Sequence, residues 1–276
     1  MNNKNPISAA LSGLLLYVVI FAGCQSTNYD DGPRPGVDTQ QTVADEGQIM
    51  ERADGRTRAK VHTELASAYY GLGNMGVALE ETRVALTADP TYPPAYNIQG
   101  LVSVELRDNA LAEQSFKKGL QLAPDDADLN HNYGWFLCRT NRDSEAIPMF
   151  MNAIKNPLYQ TPARTYAAAG NCLHKKNPQE AAGYYDRALR LEPNSVNVLL
   201  SYADLQYQRG LYGEAQGLLA QYNRLIAEPP AEALWLALRL ARKQSNRGSE
   251  ASYAAQLQRR FPKSPQAQAL QRGEYD

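Results

Sequence analysis

Small residues recur along the chain about every 34 residues, with larger apolar residues three and four positions away from them. Alanines mark this period most clearly, at Ala78, Ala112, Ala146, Ala181, Ala215 and Ala251. The intervals between them are 34, 34, 35, 34 and 36 residues. Pro90 and Pro124 are also 34 residues apart, as are Gly100 and Gly134. Because alanine is abundant and β-branched residues are sparse, the pattern favours helices over strands.

A period of 34 residues is the length of the tetratricopeptide repeat, in which each unit is a pair of antiparallel helices. Small residues at the repeated places let the two helices of a pair approach closely, and proline ends the second helix. The sequence therefore predicts an all-α fold, a right-handed superhelix of tetratricopeptide repeats over residues 49–270. We expect six repeats, near residues 59–92, 93–126, 127–160, 162–195, 196–229 and 231–265.

Two places depart from the regular period. One extra residue falls near Asn156–Thr161, so we expect an irregular connection between repeats three and four. No single repeat buries its apolar face alone, and the ends of a stack must therefore be capped. We expect the segment from Trp235 to Phe261 to form an atypical terminal cap.

The first residues are typical of an export signal rather than of a folded element. An apolar run from Ile7 to Ala22 is short for a membrane span and ends in Ala22-Gly23-Cys24, which resembles a bacterial lipobox. We predict a signal peptide over residues 1–23, a lipid on Cys24 and a flexible tether over 24–48. Gln25 resembles an outer-membrane address, on the periplasmic face. The alternative is an ordinary secretory signal with an incidental cysteine.

Charge and motifs exclude several classes of function. The chain has 28 Lys and Arg against 29 Asp and Glu, a net charge of −1, which argues against nucleic-acid binding through bulk basic charge. The sequence has no HExxH, CxxC or P-loop motif, and its three histidines lack metal-ligand spacing. No serine lies in a nucleophile elbow. We therefore predict a protein that is not an enzyme and needs no cofactor or metal.

The remaining candidate is the concave surface, which first helices line in this repeat. Leu101, Trp135 and Leu173 are apolar at places where a purely structural scheme would leave polar residues, so they suggest a groove for a peptide or strand. The alternative is that Trp135 packs between neighbouring first helices. Our candidate partner-binding residues are Asn97, Leu101, Glu105, His131, Trp135, Arg139 and Tyr166.

Cys138 and Cys172 are 34 residues apart, on the first helices of adjacent repeats. Adjacent first helices stack side by side, and an exported protein meets an oxidising compartment. We predict a disulfide between them. The alternative is two small buried apolar side chains, because cysteine is often a core residue.

The whole layout resembles the PilF/PilW family of type IV pilus biogenesis lipoproteins. The similarity lies in the lipobox at Cys24, the body opening at residues 58–66 (RAKVHTELA) and the distinctive run at 128–138 (DLNHNYGWFLC). The resemblance implies a pilotin, a lipid-anchored outer-membrane protein that helps to place and multimerise the secretin ring. The implied partners are the secretin subunit and the membrane, with the protein monomeric when alone.

Two other functions stay open from the sequence. One is a tetratricopeptide lipoprotein that serves outer-membrane protein assembly or cell-wall enzymes, which differs from a pilotin only in its client. The other is a hydrolase with its own active site, which the missing catalytic motifs disfavour.

Overall fold

The computed structural model describes the backbone of residues 39–275 and the side chains of residues 54–275. Over these residues the chain is all helix, in thirteen segments joined by turns and short connections. Six consecutive helix pairs form the repeats: α1 (Thr39–Gly71) with α2 (Met75–Ala88), α3 (Pro93–Glu105) with α4 (Asn109–Leu122), α5 (Ala127–Arg139) with α6 (Asp143–Lys155), α7 (Pro162–Leu173) with α8 (Pro178–Leu191), α9 (Val196–Gln208) with α10 (Tyr212–Leu225), and α11 (Ala231–Lys243) with α12 (Arg247–Arg260). A short helix, α13 (Pro265–Arg272), follows them. The predicted all-α tetratricopeptide superhelix is confirmed.

Local sequence signals explain where many of these helices begin. The side chains of Asp108, Asp126 and Asn177 accept a hydrogen bond from a backbone amide in the first turn of α4, α5 and α8. Such caps satisfy amides that have no partner within the helix. In five of the six repeats, the turn between the two helices contains a residue with positive φ: Gly73, Arg107, Asn141, Gly210 and Ser245.

The repeated small residues create close contacts within each pair. An added Cβ at Gly100 would lie 2.6 Å from the Phe116 ring, and one at Gly134 would lie 2.9 Å from the Phe150 ring. The alanines of the first five second helices, from Ala78 to Ala215, are completely buried. The packing reason inferred for the period therefore holds in repeats one to five.

The sixth repeat corrects two expectations. Ala251 is exposed, because Glu250 occupies the fourth place of α12, where the other second helices have their buried alanine. Glu250 instead forms an ion pair with Arg242, 2.8 Å away. The segment Trp235–Phe261 is also no atypical cap, since α11 and α12 form a regular pair. The cap is α13, whose Ala267 is buried in a cluster with Leu234 and Leu257.

The predicted boundaries differ from the structure at two further places. The connection between α6 and α7 runs over six residues, 156–161, and is irregular, as the extra residue predicted. Helix α1 begins at Thr39, so the last ten residues of the predicted tether, 39–48, are helical. The physical reason is composition, because glycine and proline are concentrated in residues 32–36 and only Gly47 occurs in 39–48.

The compact unit that contains the repeats spans Gln48–Asp276. The predicted signal peptide, Cys24 and tether residues 24–38 lie outside the described residues. Within the described part of the chain, none of the helices combines the length and the apolar character that a membrane span requires.

Candidate protein-binding face

The first helices of successive repeats lie next to one another, and polar side chains link them at intervals of one repeat. Helix α3 contacts α5, α5 contacts α7, and α9 contacts α11. Four hydrogen bonds or ion pairs and one disulfide connect residues 34 or 35 positions apart. They are Asn97–Asn132, Glu105–Arg139, His131–Thr165, Cys138–Cys172 and Asp204–Arg239. These links hold the face that first helices line in a tetratricopeptide superhelix.

Three of the predicted partner-binding residues meet at one point of this face. Arg139 Nη1 lies 3.4 Å from Glu105 Oε1, and the Arg139 guanidinium carbon lies 4.8 Å from the centre of the Trp135 ring. The Arg139 and Glu105 side chains are 51% and 37% exposed, so both can reach a partner. We call Glu105, Trp135 and Arg139 the concave cluster.

Tyr70 of the first repeat borders this cluster, although it is not among the predicted partner-binding residues. Burial raises the pKa of the Tyr70 hydroxyl, and the charge of Glu105 raises it further, against Arg139 and Arg164, which lower it. Tyr70 is therefore a neutral phenol close to the ion pair, with a hydroxyl that can donate or accept a hydrogen bond. The repeat spacing indicates this position, since Tyr70 lies one period before Val104 and Glu105.

Of the three apolar groove residues, Leu173 is buried in the core and lines no groove, whereas Leu101 and Trp135 are neither fully exposed nor fully buried. Leu101 and Trp135 are partly buried and pack against the main core cluster, which contains Phe116, Phe136 and Phe150. The groove and core interpretations are thus both partly right. One side of each residue stabilises the stack of helices, and the rest remains accessible.

His131 has a different place from the one expected. Its side chain is 3% exposed, and its Nδ1 lies 2.7 Å from the Thr165 hydroxyl. Burial, with a smaller contribution from the charge of Arg164, lowers the pKa of His131 to about 4, so the ring is neutral at ordinary pH. The contact role inferred for His131 is therefore wrong: it supports the face from beneath and cannot reach a partner.

Asn97 and Tyr166 are also tied to neighbouring helices. Asn132 Nδ2 donates to Asn97 Oδ1 at 3.0 Å, which links α5 to α3. The Tyr166 ring stacks on Tyr184 of α8, with ring centres 6.4 Å apart, and Arg187 lies 5.8 Å above it. Both are partly buried, and the contacts of Tyr166 hold α7 to its own partner helix.

The structure contains a disulfide between Cys138 and Cys172, whose Cα atoms are 5.6 Å apart. It connects the C-terminal end of α5 to the C-terminal end of α7. Asp143 Oδ1 lies 3.5 Å from Cys172 Sγ, so a carboxylate and two sulfurs converge there. Sulfurs joined in a disulfide are not thiolates, and thiolates are the form in which cysteine binds metal.

The chain is similar in sequence and in fold to known tetratricopeptide-repeat proteins. A tetratricopeptide-repeat family model matches residues 96–228. The type IV pilus assembly protein PilF of Pseudomonas aeruginosa is 32% identical over 222 residues, which are 79% of this chain and 86% of that protein. The crystal structure of PilW, a widely conserved type IV pilus biogenesis factor, has a TM-score of 0.73 and 30% identity, over 77% of this chain and 98% of that one.

The chain belongs to the PilF/PilW-type family of tetratricopeptide proteins. A solved structure of Pseudomonas aeruginosa PilF is also similar, with a TM-score of 0.71 and 30% identity over 80% of this chain and 99% of that one. The resemblance inferred from the lipobox, the 128–138 run and the repeat period is thereby confirmed at the level of the family.

This PilF/PilW-type chain also has a second cluster of polar side chains, in repeats four to six. Sequence reasoning missed this cluster. His174 Nε2 lies 3.3 Å from Asp204 Oδ2, and Arg239 Nη2 lies 3.1 Å from Asp204 Oδ1. Burial opposes ionisation of Asp204, but the hydrogen bond to His174 and the charge of Arg239 outweigh it and lower the pKa of Asp204. The sequence contained one indication of this cluster, because Arg239 occupies a place where the repeat pattern expects a small residue.

Proposed function

We propose that this chain is a non-enzymatic outer-membrane lipoprotein of type IV pilus biogenesis that acts as a pilotin. In this role it helps to localise and multimerise the secretin, the outer-membrane ring through which the pilus emerges. Membership of the PilF/PilW-type family supports the biological setting. The finer statements about the secretin and the outer membrane rest on the sequence and on the surface described above.

The concave cluster is the observation that carries the proposal. It combines an indole, a guanidinium and a carboxylate on a face of the kind that repeat proteins use to bind extended segments. Trp135 offers an aromatic anchor, and such an anchor contributes roughly 2 kcal/mol or more at a well-packed interface. Glu105 and Arg139 offer an acceptor and several donors, which set the register of a bound segment.

Breaking the Glu105–Arg139 ion pair costs little free energy. An exposed ion pair of this kind contributes about 0–1 kcal/mol to stability, because water screens both charges. A secretin segment can therefore take over Arg139 or Glu105 without destabilising the fold. The Asn97–Asn132 hydrogen bond links α3 to α5, the two helices that carry the cluster, and so helps to preorganise it for binding. The disulfide next to Arg139 in turn fixes α5 against α7.

The membrane anchor in this proposal is a lipid on Cys24. The support is the Ala22-Gly23-Cys24 ending and the polar residues that follow it. A lipid on this cysteine would hold the repeats on the periplasmic face of the outer membrane. Stable anchoring needs more than one acyl chain, which the diacylglycerol of a lipoprotein provides.

A deletion strain tests the function directly. The amount of secretin multimer in outer-membrane fractions should fall when the gene is deleted and recover when the full chain is supplied. Unchanged secretin multimers, together with a loss of other outer-membrane proteins or of cell-wall enzyme activity, would contradict the pilotin role and favour another client.

A further inference from the structure

A cavity of about 330 Å³ lies between the first helices of repeats four to six and the cap helix α13. Its lining includes His174, which directly follows α7, with Asp204 of α9, Trp235 and Arg239 of α11, and Gln266 of α13. It shares no residue with the concave cluster of repeats two and three. The proposed secretin contacts therefore leave this cavity without an assigned role.

Two polar atoms of this lining lack partners. Among the described residues, Arg239 Nε and Gln266 Oε1 are the buried side-chain nitrogen or oxygen atoms without a hydrogen bond. Leaving such an atom unpaired costs about 1–3 kcal/mol, so each needs a reason. The two atoms are complementary, because Nε–H is a donor and Oε1 is an acceptor. A peptide group, which has one C=O and one N–H, matches this pair.

The rest of the Arg239 side chain is held in place. Its Nη2 donates to Asp204 at 3.1 Å, and its guanidinium carbon lies 4.7 Å from the centre of the Tyr207 ring. Asp204 also faces His174. Because Asp204 already neutralises Arg239, the cavity offers no free cation to a carboxylate or phosphate. Glu232 adds a further carboxylate to the lining, so the cavity disfavours an anion and favours a main-chain ligand.

The rim of the cavity already holds an aromatic side chain. The Tyr275 ring stacks on Trp235, with ring centres 5.9 Å apart and planes inclined by 12°. Tyr275 lies in the short segment that follows α13. The Arg242 guanidinium carbon lies 3.8 Å from the centre of its ring. An extended stretch of chain can therefore place an aromatic ring on Trp235.

We propose that this cavity is a second peptide-binding site. It takes an extended segment of a partner protein, whose main-chain amide pairs with Arg239 Nε and Gln266 Oε1 once the Tyr275 segment has moved away, since both atoms are closed to solvent while that segment is in place. An aromatic side chain of that segment stacks on Trp235 in place of Tyr275. Tyr275 acts as a resident competitor, so partner binding and release of the Tyr275 segment are linked.

The test begins with random dodecapeptides displayed on phage, selected on the full chain carrying Tyr275→Ala. Enriched peptides should share an aromatic residue. In calorimetric titration, a synthetic copy of the leading peptide should bind this variant several-fold more tightly than the unchanged chain, because the competitor is gone. In the Tyr275→Ala background, Gln266→Leu should weaken binding roughly tenfold, since the amide loses its acceptor.

Two further variants control for loss of structure. Gln266→Glu keeps an acceptor oxygen and should retain binding. Gln268→Leu changes an exposed glutamine on the same helix and should have no effect. Failure to enrich any peptide, or equal affinity in Gln266→Leu and Gln268→Leu, would overturn the proposal. So would a leading peptide that is lost with Trp135→Ala but not with Gln266→Leu, because it would bind the concave cluster.

Discussion

Cys138 and Cys172, whose Cα atoms are 5.6 Å apart, join α5 to α7 across the boundary where an extra residue separates repeats three and four. Helices of neighbouring repeats elsewhere in the stack are held by packing and side-chain hydrogen bonds. At this boundary a covalent link is added. It closes a loop of 34 residues, which in the chain-entropy model stabilises the folded chain by about 3–4 kcal/mol.

The first prediction is that this bridge is present in the exported protein and stabilises it. In a chain carrying Cys24→Ser, which leaves only these two cysteines, thiol titration after denaturation without reductant should find none free. Cys138→Ala with Cys172→Ala should lower the free energy of unfolding by about 3 kcal/mol in denaturant titration. Two free thiols in the unreduced protein would rule the bridge out.

A second prediction concerns close packing within repeat three. Gly134→Ala places a Cβ 2.9 Å from the Phe150 ring and 3.2 Å from the Ala146 carbonyl oxygen, so the variant should lose about 1–3 kcal/mol of stability. Gly183→Ala in α8 is the matched control, because no atom lies within 4 Å of the added Cβ. It should gain roughly 0.5–1 kcal/mol from helix propensity. Equal effects in thermal unfolding would contradict the packing argument.

A third prediction uses the depressed pKa of His131. The folded-state pKa of about 4 lies below the value near 6.5 expected in the unfolded chain, so the unfolded chain binds the proton first as pH falls. The stabilisation is present above about pH 6.5 and is lost as pH falls from there to about 4, by up to roughly 3 kcal/mol.

The measurement is urea unfolding at several pH values in that window, with His131→Gln as the comparison. The glutamine side chain cannot titrate, so the free energy of unfolding of the variant should fall less steeply between pH 6.5 and 4. His62 and His174 remain in both proteins, and the difference between the two slopes therefore isolates position 131. Identical slopes would mean that His131 is not buried as a neutral ring.

A fourth prediction concerns the anchor. Cys24→Ser removes the sulfur that would carry the lipid, so the chain should no longer fractionate with outer membranes and should accumulate as an unprocessed or soluble periplasmic form. Metabolic labelling with a fatty acid should mark the unchanged chain and not the variant. A Cys24→Ser protein that still fractionates with outer membranes would contradict the lipobox interpretation.

The fold was predictable because its main determinant is local and repeated. The buried alanines and the glycines beneath Phe116 and Phe150 report helix contacts within one repeat, and these follow from spacing alone. The end of the stack was less predictable, because α12 departs from the repeated pattern. Glu250 takes the place of the buried alanine and pairs with Arg242, and the cap is the additional helix α13.

The candidate face was only partly predictable. Repeat positions placed Glu105 and Arg139 on the same face, since both lie near the end of a first helix. The same positions could not distinguish His131, which is buried, from Trp135, which is only partly buried. That difference depends on side-chain direction, and on Thr165 offering His131 a partner from the next repeat. The group around Asp204 escaped prediction because its members come from three different repeats.

The central claim is that the concave cluster captures the secretin, and variant complementation in the deletion strain tests it most directly. Trp135→Ala, Glu105→Arg and Arg139→Glu would each be compared with Arg83→Glu, an exposed change on α2, by the amount of secretin multimer in outer-membrane fractions. The charge changes should cost under about 1 kcal/mol of stability, so those chains should accumulate equally. Trp135 also packs against the core, so Trp135→Ala is compared at a matched amount of folded chain. We predict a clear loss of multimer for the three cluster variants and none for Arg83→Glu. Full secretin multimers with all three cluster variants would contradict the claim.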